Sequence, residues 1–318
     1  MCAVSSKRQF PEFEKPLLEI NEKIIELTEK NPESVKIKDL VKKKKSMTSD
    51  IYAGLTPWQK VQLARHPARP YTLDYINGIF TDFIEFHGDR RFGDDRAIVG
   101  GIASLDGDPV MVIGHQKGRT MEESLMRNFG MPHPEGYRKS LRLMKMAEKF
   151  SLPVITFIDT PGAFPGVKAE ERGQSEAIAT NLKEMSGLRT PIIVVIVGEG
   201  GSGGALGIAV GDRMIMLEYA VYFVCTPEAC SAILWRDSGK AELAAETMRL
   251  TSQDLLKLGV VDEIVKEPHG GAHWDHDKMF DTLKERLQVN MKGLKRTKPK
   301  NLIDNRYKKF RNMGVYSK

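Results

Sequence analysis

The sequence predicts an α/β protein, on three observations. Residues 192 to 198 are apolar, mostly β-branched and opened by Pro191, the pattern of a strand buried on both faces. A second such run, Pro153 to Ile158, stands about one helix-length upstream. Around both runs lie segments with apolar residues at helical spacing, so strands and helices alternate. Hairpin signals inside the units argue against a pure Rossmann succession of strand and crossover helix.

Taken in order, Leu17, Ile20, Ile24 and Leu27 fall on one face of a helix over residues 16 to 30. The run Lys42 to Lys45 then reads as a basic linker, so residues 1–50 form a helical arm and linker. Thr56-Pro57-Trp58 starts a helix, with an N-cap threonine and proline at the first position, reaching about His66. Pro67 and Pro70 break the chain. Thr72 reads as the N-cap of the next helix, with Tyr75, Ile76, Ile79 and Phe80 inward. Strands over about 97–104 and 109–114 are joined by Asp106-Gly107, a hairpin signal. Residues 115 to 136, rich in glycine, proline, charge and methionine, read as a long functional loop. A helix over 137–150 leads into the Pro153 strand, which ends in Asp159-Thr160-Pro161-Gly162-Ala163-Phe164-Pro165-Gly166. A helix over 168–188 returns to the strand at 192. Short strands follow near 213–217 and 221–224, then helices near 227–235, 240–249 and 251–258, and a strand over 260–265. His269 to His276 form a polar loop before two final helices, 277–292 and 299–313. Residues 51–268 make the main domain and 269–318 a C-terminal helical segment.

The 318 residues carry a formal charge of +6, much of it in the lysine run and in the tail after Lys292. Such runs read first as solvated surface and second as a docking surface for an acidic partner or phosphorylated ligand. Basic density without interleaved aromatics argues against nucleic acid. The cysteines are Cys2, Cys225 and Cys230, an odd number with no Cys-x-x-Cys pair. That excludes a disulfide framework and a zinc ribbon and suits a reducing cytoplasm. No apolar run approaches the ~18 residues of a membrane span, and no signal peptide is visible.

The chemistry concentrates after the strand at 192. Gly198-Glu199-Gly200-Gly201-Ser202-Gly203-Gly204 is followed by small residues at helical spacing, Ala205, Gly207, Ala209 and Gly211. A Walker loop is excluded, because Gly-Lys-Ser/Thr is missing. Gly198-x-Gly200-x-x-Gly203 matches the dinucleotide fingerprint, with Glu218 near the ribose-binding distance, but no normal βαβ unit follows. Gly200-x-Ser202-x-Gly204 matches a hydrolase nucleophile elbow, and Asp237 or Asp262 with His269 would complete a serine hydrolase order. The third reading is an oxyanion hole made of consecutive backbone amides, with no side-chain nucleophile. His87 and His115 read as structural positions. Asp89, Arg90, Arg91, Asp94 and Asp95 read as an ion-pair cluster or subunit contact. His269, His273 and His276 read as loop residues without metal geometry.

Several motifs, in order, carry a resemblance: Leu55-Thr56-Pro57-Trp58 through Arg65-His66-Pro67, Phe86-His87-Gly88-Asp89-Arg90-Arg91-Phe92-Gly93-Asp94-Asp95, Gly114-His115-Gln116-Lys117-Gly118-Arg119, Arg127-Asn128-Phe129-Gly130-Met131-Pro132 with Pro134-Glu135-Gly136-Tyr137, the 159–166 run and the glycine turn. With these the chain resembles the alpha subunits of bacterial acetyl-CoA carboxylase carboxyltransferases, over about residues 16 to 290. The resemblance implies a crotonase-type spiral of stacked ββα units with a helical N-terminal arm and C-terminal helices. It implies transfer of the carboxyl group of carboxybiotin to acetyl-CoA, giving malonyl-CoA for fatty acid synthesis; a longer acyl-CoA as acceptor is the alternative within the fold. Gly203, Gly204 and Ala205 then match the biotin-side oxyanion hole. Gly162, Ala163, Phe164, Pro165 and Gly166 match the biotin channel. Lys117, Arg119 and Arg127 stand as candidate contacts for CoA phosphates or a partner. No metal is expected in this chain: zinc belongs to the ribbon of the beta subunit. The implied partners are that beta subunit, two alpha with two beta, together with the biotin carboxyl carrier protein and biotin carboxylase.

Overall fold

The computed structural model describes residues 10–314; Cys2 lies outside them. The strands are β1 (Thr81–Glu85), β2 (Ile98–Leu105), β3 (Asp108–His115), β4 (Val154–Thr160), β5 (Ile192–Gly201), β6 (Arg213–Leu217), β7 (Val221–Phe223) and β8 (Glu263–Val265). They form one sheet in the order β1-β2-β3-β4-β5-β6-β8, and β7 pairs with the end of β5. The pairs β1–β2 and β2–β3 are antiparallel, and all others are parallel. The helices are α1 (Lys15–Lys30), α2 (Val35–Ala53), α3 (Pro57–Ala64), α4 (Thr72–Ile79), α5 (Met121–Met126), α6 (Pro134–Lys149), α7 (Val167–Glu171), α8 (Gln174–Gly187), α9 (Ser202–Leu206), α10 (Pro227–Trp235), α11 (Ala241–Thr247), α12 (Ser252–Lys257), α13 (His276–Lys295) and α14 (Pro299–Arg311). Among the described residues no helix is long and apolar enough to cross a membrane.

The two apolar runs form the middle of the sheet. Every residue of β4 and β5 is buried, as parallel strands covered on both faces must be. Helix α13 contributes Met279, Leu283, Leu287 and Met291 to the same core as β2 to β6. The β2–β3 hairpin turns at Asp106 and Gly107, both at positive φ (51° and 85°), which matches the right-handed twist of the flanking strands. Helix α3 begins in a full capping box: Thr56 Oγ1 accepts from Gln59 N–H, and Gln59 Oε1 accepts from Thr56 N–H.

Several expectations require correction. Lys42 to Lys45 lie inside α2 and not in a linker. Lysine is a good helix former, and Lys44 is anchored by Asn21 Oδ1 (2.7 Å) and by the Trp274 ring (4.2 Å to its centroid). The cap of α4 is Tyr71, whose N–H donates to Asp74 Oδ2 at 2.7 Å; the Thr72 hydroxyl instead donates to the His115 carbonyl. Strand β1, on the sheet edge, was hidden by its exposed residues and irregular pairing at Asp82 (φ 55°). The single helix over 168–188 is two, broken where Gly173 takes φ 81°. The 115–136 loop contains α5, capped by Thr120. Strand β5 runs on to Gly201, so the first glycines of the turn are strand.

Candidate active site

The site lies where β3, β4 and β5 end. The last residues of β5 pair with β7 through Glu199↔Val221, Gly200↔Tyr222 and Gly201↔Phe223, and Gly200 also faces Thr160 of β4. The chain then turns through Ser202 (φ 51°) into the five residues of α9. Two glycines are demanded by what lies across from them. A Cβ on Gly201 would stand 2.1 Å from Pro161 O, and one on Gly204 would stand 2.3 Å from Gly162 C and 2.4 Å from Ala163 N. The glycine turn and the 161–166 loop therefore interlock backbone against backbone. Gly203 is different: its Cβ would meet Ile178 Cδ1 at 3.7 Å, an ordinary contact. The first amides of α9 have no acceptor inside the helix.

The 161–166 loop is pinned from both sides. Gly162 N–H donates to Thr160 Oγ1 (3.1 Å), whose hydroxyl donates to Gly162 O (2.8 Å). Phe164 N–H donates to Pro132 O at 3.0 Å. Gln174 Nε2 donates to both Pro132 O (2.8 Å) and Phe164 O (3.1 Å). The Phe164 ring stacks on His133 with centroids 4.2 Å apart. Gly162, Ala163, Phe164 and Gly166 are half-buried and Pro165 is exposed, so the pinned loop keeps one open side.

Beneath the two loops runs a buried ionic chain. Lys117 Nζ lies 2.7 Å from Asp159 Oδ1 and 3.0 Å from Glu199 Oε2. Glu199 Oε1 in turn accepts from Arg65 Nε at 2.7 Å, and Arg65 reaches Glu228 at 2.5 Å. Burial works against the charged forms of Lys117 and Glu199, but their mutual attraction overrides it. The Lys117 ammonium is held well above its ordinary value, and the Glu199 carboxyl is held below its own by Lys117 and Arg65. Asp159 is pushed up, by burial first and by the Glu199 charge as well, with Lys117 opposing. Of the three loop cations singled out in the sequence, Lys117 is thus committed to internal pairing. Arg119 donates to Pro67 O (2.8 Å) and Asp74 Oδ2 (2.5 Å) and stacks over Tyr71, while its side chain stays 40% exposed. Arg127 donates to Arg96 O at 2.9 Å. Sequence reasoning missed Arg65, Asp159, Glu199 and Glu228. The available signal was ionisable residues set inside or at the ends of apolar strands.

A Ser-His-Asp assembly is not formed. Ser202 is exposed at its turn, whereas His269 Nε2 is engaged with Ser49 Oγ of α2 at 3.0 Å. Asp262 accepts from Met214 N–H (2.7 Å) and from Lys309, and Asp237 caps Gly239 N–H at 2.9 Å. The serine-hydrolase alternative therefore lacks both base and orienting acid. His273 also departs from expectation: it is buried on a firm scaffold with Glu14 and His66, ligand-type atoms within 4.8 Å of one another. Glu14 Oε1 there accepts from Tyr52 OH (2.5 Å), Trp274 Nε1 (3.0 Å) and His273 Nε2 (3.0 Å). His66 Nδ1 accepts from Ala68 N–H at 3.1 Å, which leaves the proton of the neutral ring on Nε2, the atom a metal would need. The cluster is an acid clasp that fastens the N-terminal arm.

Residues 10–314 match the family model described as acetyl co-enzyme A carboxylase carboxyltransferase-like. The chain is 60% identical over 310 residues to the acetyl-coenzyme A carboxylase carboxyl transferase subunit alpha of Geobacter metallireducens, covering 96% of this chain and 98% of that one. It is 54% identical over 315 residues to the subunit of the same name from Thiobacillus denitrificans, covering 98% of each. Among solved structures, a Pseudomonas malonate decarboxylase hetero-tetramer in complex with coenzyme A has a chain that aligns at TM-score 0.58 and 16% identity, over 74% of this chain and 91% of its own. The transcarboxylase 12S hexamer with methylmalonyl-coenzyme A aligns at TM-score 0.55 and 20% identity, over 68% of this chain and 41% of its own. These two show a shared crotonase-type α/β fold. On full-length identity to its relatives and on the family match, the chain belongs to the acetyl-CoA carboxylase carboxyltransferase alpha-subunit family.

Proposed function

We propose that this chain forms the half of the carboxyltransferase that receives carboxybiotin, with the backbone amides of Gly203, Gly204 and Ala205 as the oxyanion hole for the biotin carbonyl oxygen. Gly162 to Gly166 line the channel by which biotin enters. The observation that carries this reading is the interlock of the glycine turn with the pinned 161–166 loop: backbone meets backbone there at the start of α9, whose first amides have no acceptor inside the helix, and the nearby buried ionisable groups are paired with one another. In the reaction, the N–CO2 bond of carboxybiotin breaks and leaves a ureido anion and CO2. The anion removes a proton from the acetyl-CoA methyl group, and the resulting enolate attacks CO2 to give malonyl-CoA. Charge sits on a carbonyl oxygen at each stage, so fixed amides stabilise it without a protein nucleophile. A beta subunit supplies the second oxyanion hole, for acetyl-CoA, and its own zinc ribbon, in a complex of two alpha and two beta chains. The biotin carboxyl carrier protein delivers carboxybiotin that biotin carboxylase has made. Arg119 and Arg127 serve CoA phosphates or a partner, and Lys117 acts through Asp159 and Glu199.

The test uses this chain mixed with its beta partner and follows malonyl-CoA decarboxylation in the presence of biocytin. Gly203→Ala adds a methyl group beside the proposed amides that meets only the Ile178 side chain, Cδ1 at 3.7 Å, without a steric clash. Its rate should fall about 100-fold, the loss typical of a blocked oxyanion donor, with the complex still assembling. A rate like that of the unaltered protein overturns the assignment. Ser202→Ala should keep substantial activity.

A further inference from the structure

Glycine solves one problem at this turn and creates another. It lets the amides come close to a ligand, but Gly203, Gly204 and Gly207 have no side chains to lock their own dihedrals. An oxyanion hole stabilises charge only if its dipoles are already aimed before the charge develops. A five-residue helix starting from Ser202 at positive φ does not supply that rigidity alone.

Three buried side chains grip it from behind. His115 Nε2 and Tyr137 OH both donate to Gly204 O, each at 3.2 Å. That carbonyl has no backbone donor, because the Ile208 N–H goes to Ala205 O instead. Asn181 Nδ2 lies 2.9 Å from Gly207 O and 3.0 Å from both Tyr137 O and Ser140 Oγ, its two hydrogens shared among these three acceptors. His115 stands at the end of β3, Tyr137 on α6 and Asn181 on α8, and all three are at most 1% exposed. The Thr72 hydroxyl fixes His115 in turn by donating to its carbonyl. Gly207 closes the arrangement: a Cβ there would stand 2.6 Å from the Tyr137 ring, so ring and backbone are in direct contact.

We propose that His115, Tyr137 and Asn181 are positioning residues for carboxyl transfer: by holding the Gly204 and Gly207 carbonyls, they fix the short helix α9 whose first amides, those of Gly203 and Gly204, face the biotin oxygen. The inference rests on the oxyanion-hole reading above. Satisfying one orphan carbonyl takes one donor; two donors from different elements fix its direction as well. His115 is neutral at working pH, its pKa pressed down to about 3 by burial, so it acts by donation and not by proton transfer.

The discriminating variants are Tyr137→Phe, His115→Leu and His115→Gln in the assembled complex, with kcat and KM measured for transfer from malonyl-CoA to biocytin. A hole that is misaimed binds substrate normally and stabilises the transition state poorly. Tyr137→Phe should therefore lower kcat about tenfold and leave both KM values within about twofold. His115→Leu should do the same, and His115→Gln, whose amide nitrogen reproduces Nε2, should recover most of the rate. Thermal melts and size-exclusion profiles separate this from loss of folded complex. Unchanged kcat in both Tyr137→Phe and His115→Leu overturns the inference, as does a loss that His115→Gln does not recover or that tracks the amount of folded complex. If Gly203→Ala is inactive while these variants are not, the hole stands and the positioning role fails. If Gly203→Ala is also fully active, the hole itself is misassigned.

Discussion

Replacing Lys117 by methionine isolates the buried ionic chain under the site. The side chain is 15% exposed, and its ammonium is shared between Asp159 and Glu199, whose side chains are 4% and 6% exposed. The two carboxylates do not lose equally. Glu199 keeps Arg65 at 2.7 Å, whereas Asp159 keeps the Glu199 N–H at 3.0 Å and the more distant attraction of Arg69. The penalty therefore falls mainly on Asp159, a buried charge that has lost its direct ion-pair partner, and comes to about 3–5 kcal/mol. Asp159 is already pushed up by burial, and without Lys117 it rises further. A carboxyl with a raised folded-state pKa contributes stability below its unfolded value and loses it as pH rises through the folded value. The Lys117→Met deficit should thus be largest near pH 8 and shrink toward about pH 5. Adding Asp159→Asn removes the stranded charge and should restore roughly 2 kcal/mol of the deficit at the higher pH. Urea unfolding of the full chain, followed by circular dichroism at both pH values, reads all three effects. A deficit under about 1 kcal/mol near pH 8, a deficit independent of pH, or no recovery from Asp159→Asn would refute the reasoning.

Two further outcomes follow from other buried groups. His66 and His115 are pressed from 6.5 to about 3, by burial first, so the unfolded chain binds their protons in a window where the folded chain does not. Stability should hold above pH 6.5 and decline as pH falls toward 3, each histidine contributing a loss of about 1.4 kcal/mol one unit below its ordinary value; melts that are flat across this window would contradict both assignments. Glu14→Gln keeps the shape of the arm clasp but replaces a carboxylate that takes three donors on one oxygen, and should cost about 1–3 kcal/mol. Faster tryptic cleavage in α1 than in the unaltered chain is the expected readout, and equal protection would show that the arm is held by its apolar contacts alone.

The middle of the sheet was legible because β4 and β5 are apolar from end to end, and full burial leaves no other composition. The 159–166 run and the glycine turn were legible as special backbone for the same reason glycine and proline are used at all. Helix α2 was not. Only Thr48 of its 19 residues is buried, so it carries almost no apolar periodicity; Lys44 and Tyr52 hold it by contacts to Asn21, Trp274 and Glu14 that lie up to 230 positions away. The ionic chain was illegible for a related reason. Arg65, Lys117, Asp159, Glu199 and Glu228 sit on five separate segments, and charge at one position says nothing about which opposite charge will meet it. Gly201 and Gly204 were readable as close-approach glycines, but only the fold shows that they approach the 161–163 backbone.

That ionic chain also bears on how the proposed site of bare amides would work. Asp159 is the penultimate residue of β4, just before the 161–166 loop, and Glu199 stands two residues before Gly201, so both loops of the proposed oxyanion hole spring from carboxylates. An unpaired negative charge within a few residues would oppose the anion that the amides are meant to hold, most strongly where water is excluded. Lys117 and Arg65 neutralise the two carboxylates by direct contact, and Asp159 takes a further hydrogen bond from Glu199 N–H. The carboxylates thereby brace the two loops against each other as hydrogen-bond acceptors, while Lys117 and Arg65, the latter shared with Glu228, offset much of their field at close range. On the proposed reading, the potential at the turn is set mainly by the peptide dipoles at the start of α9, and their aim by the side chains behind them.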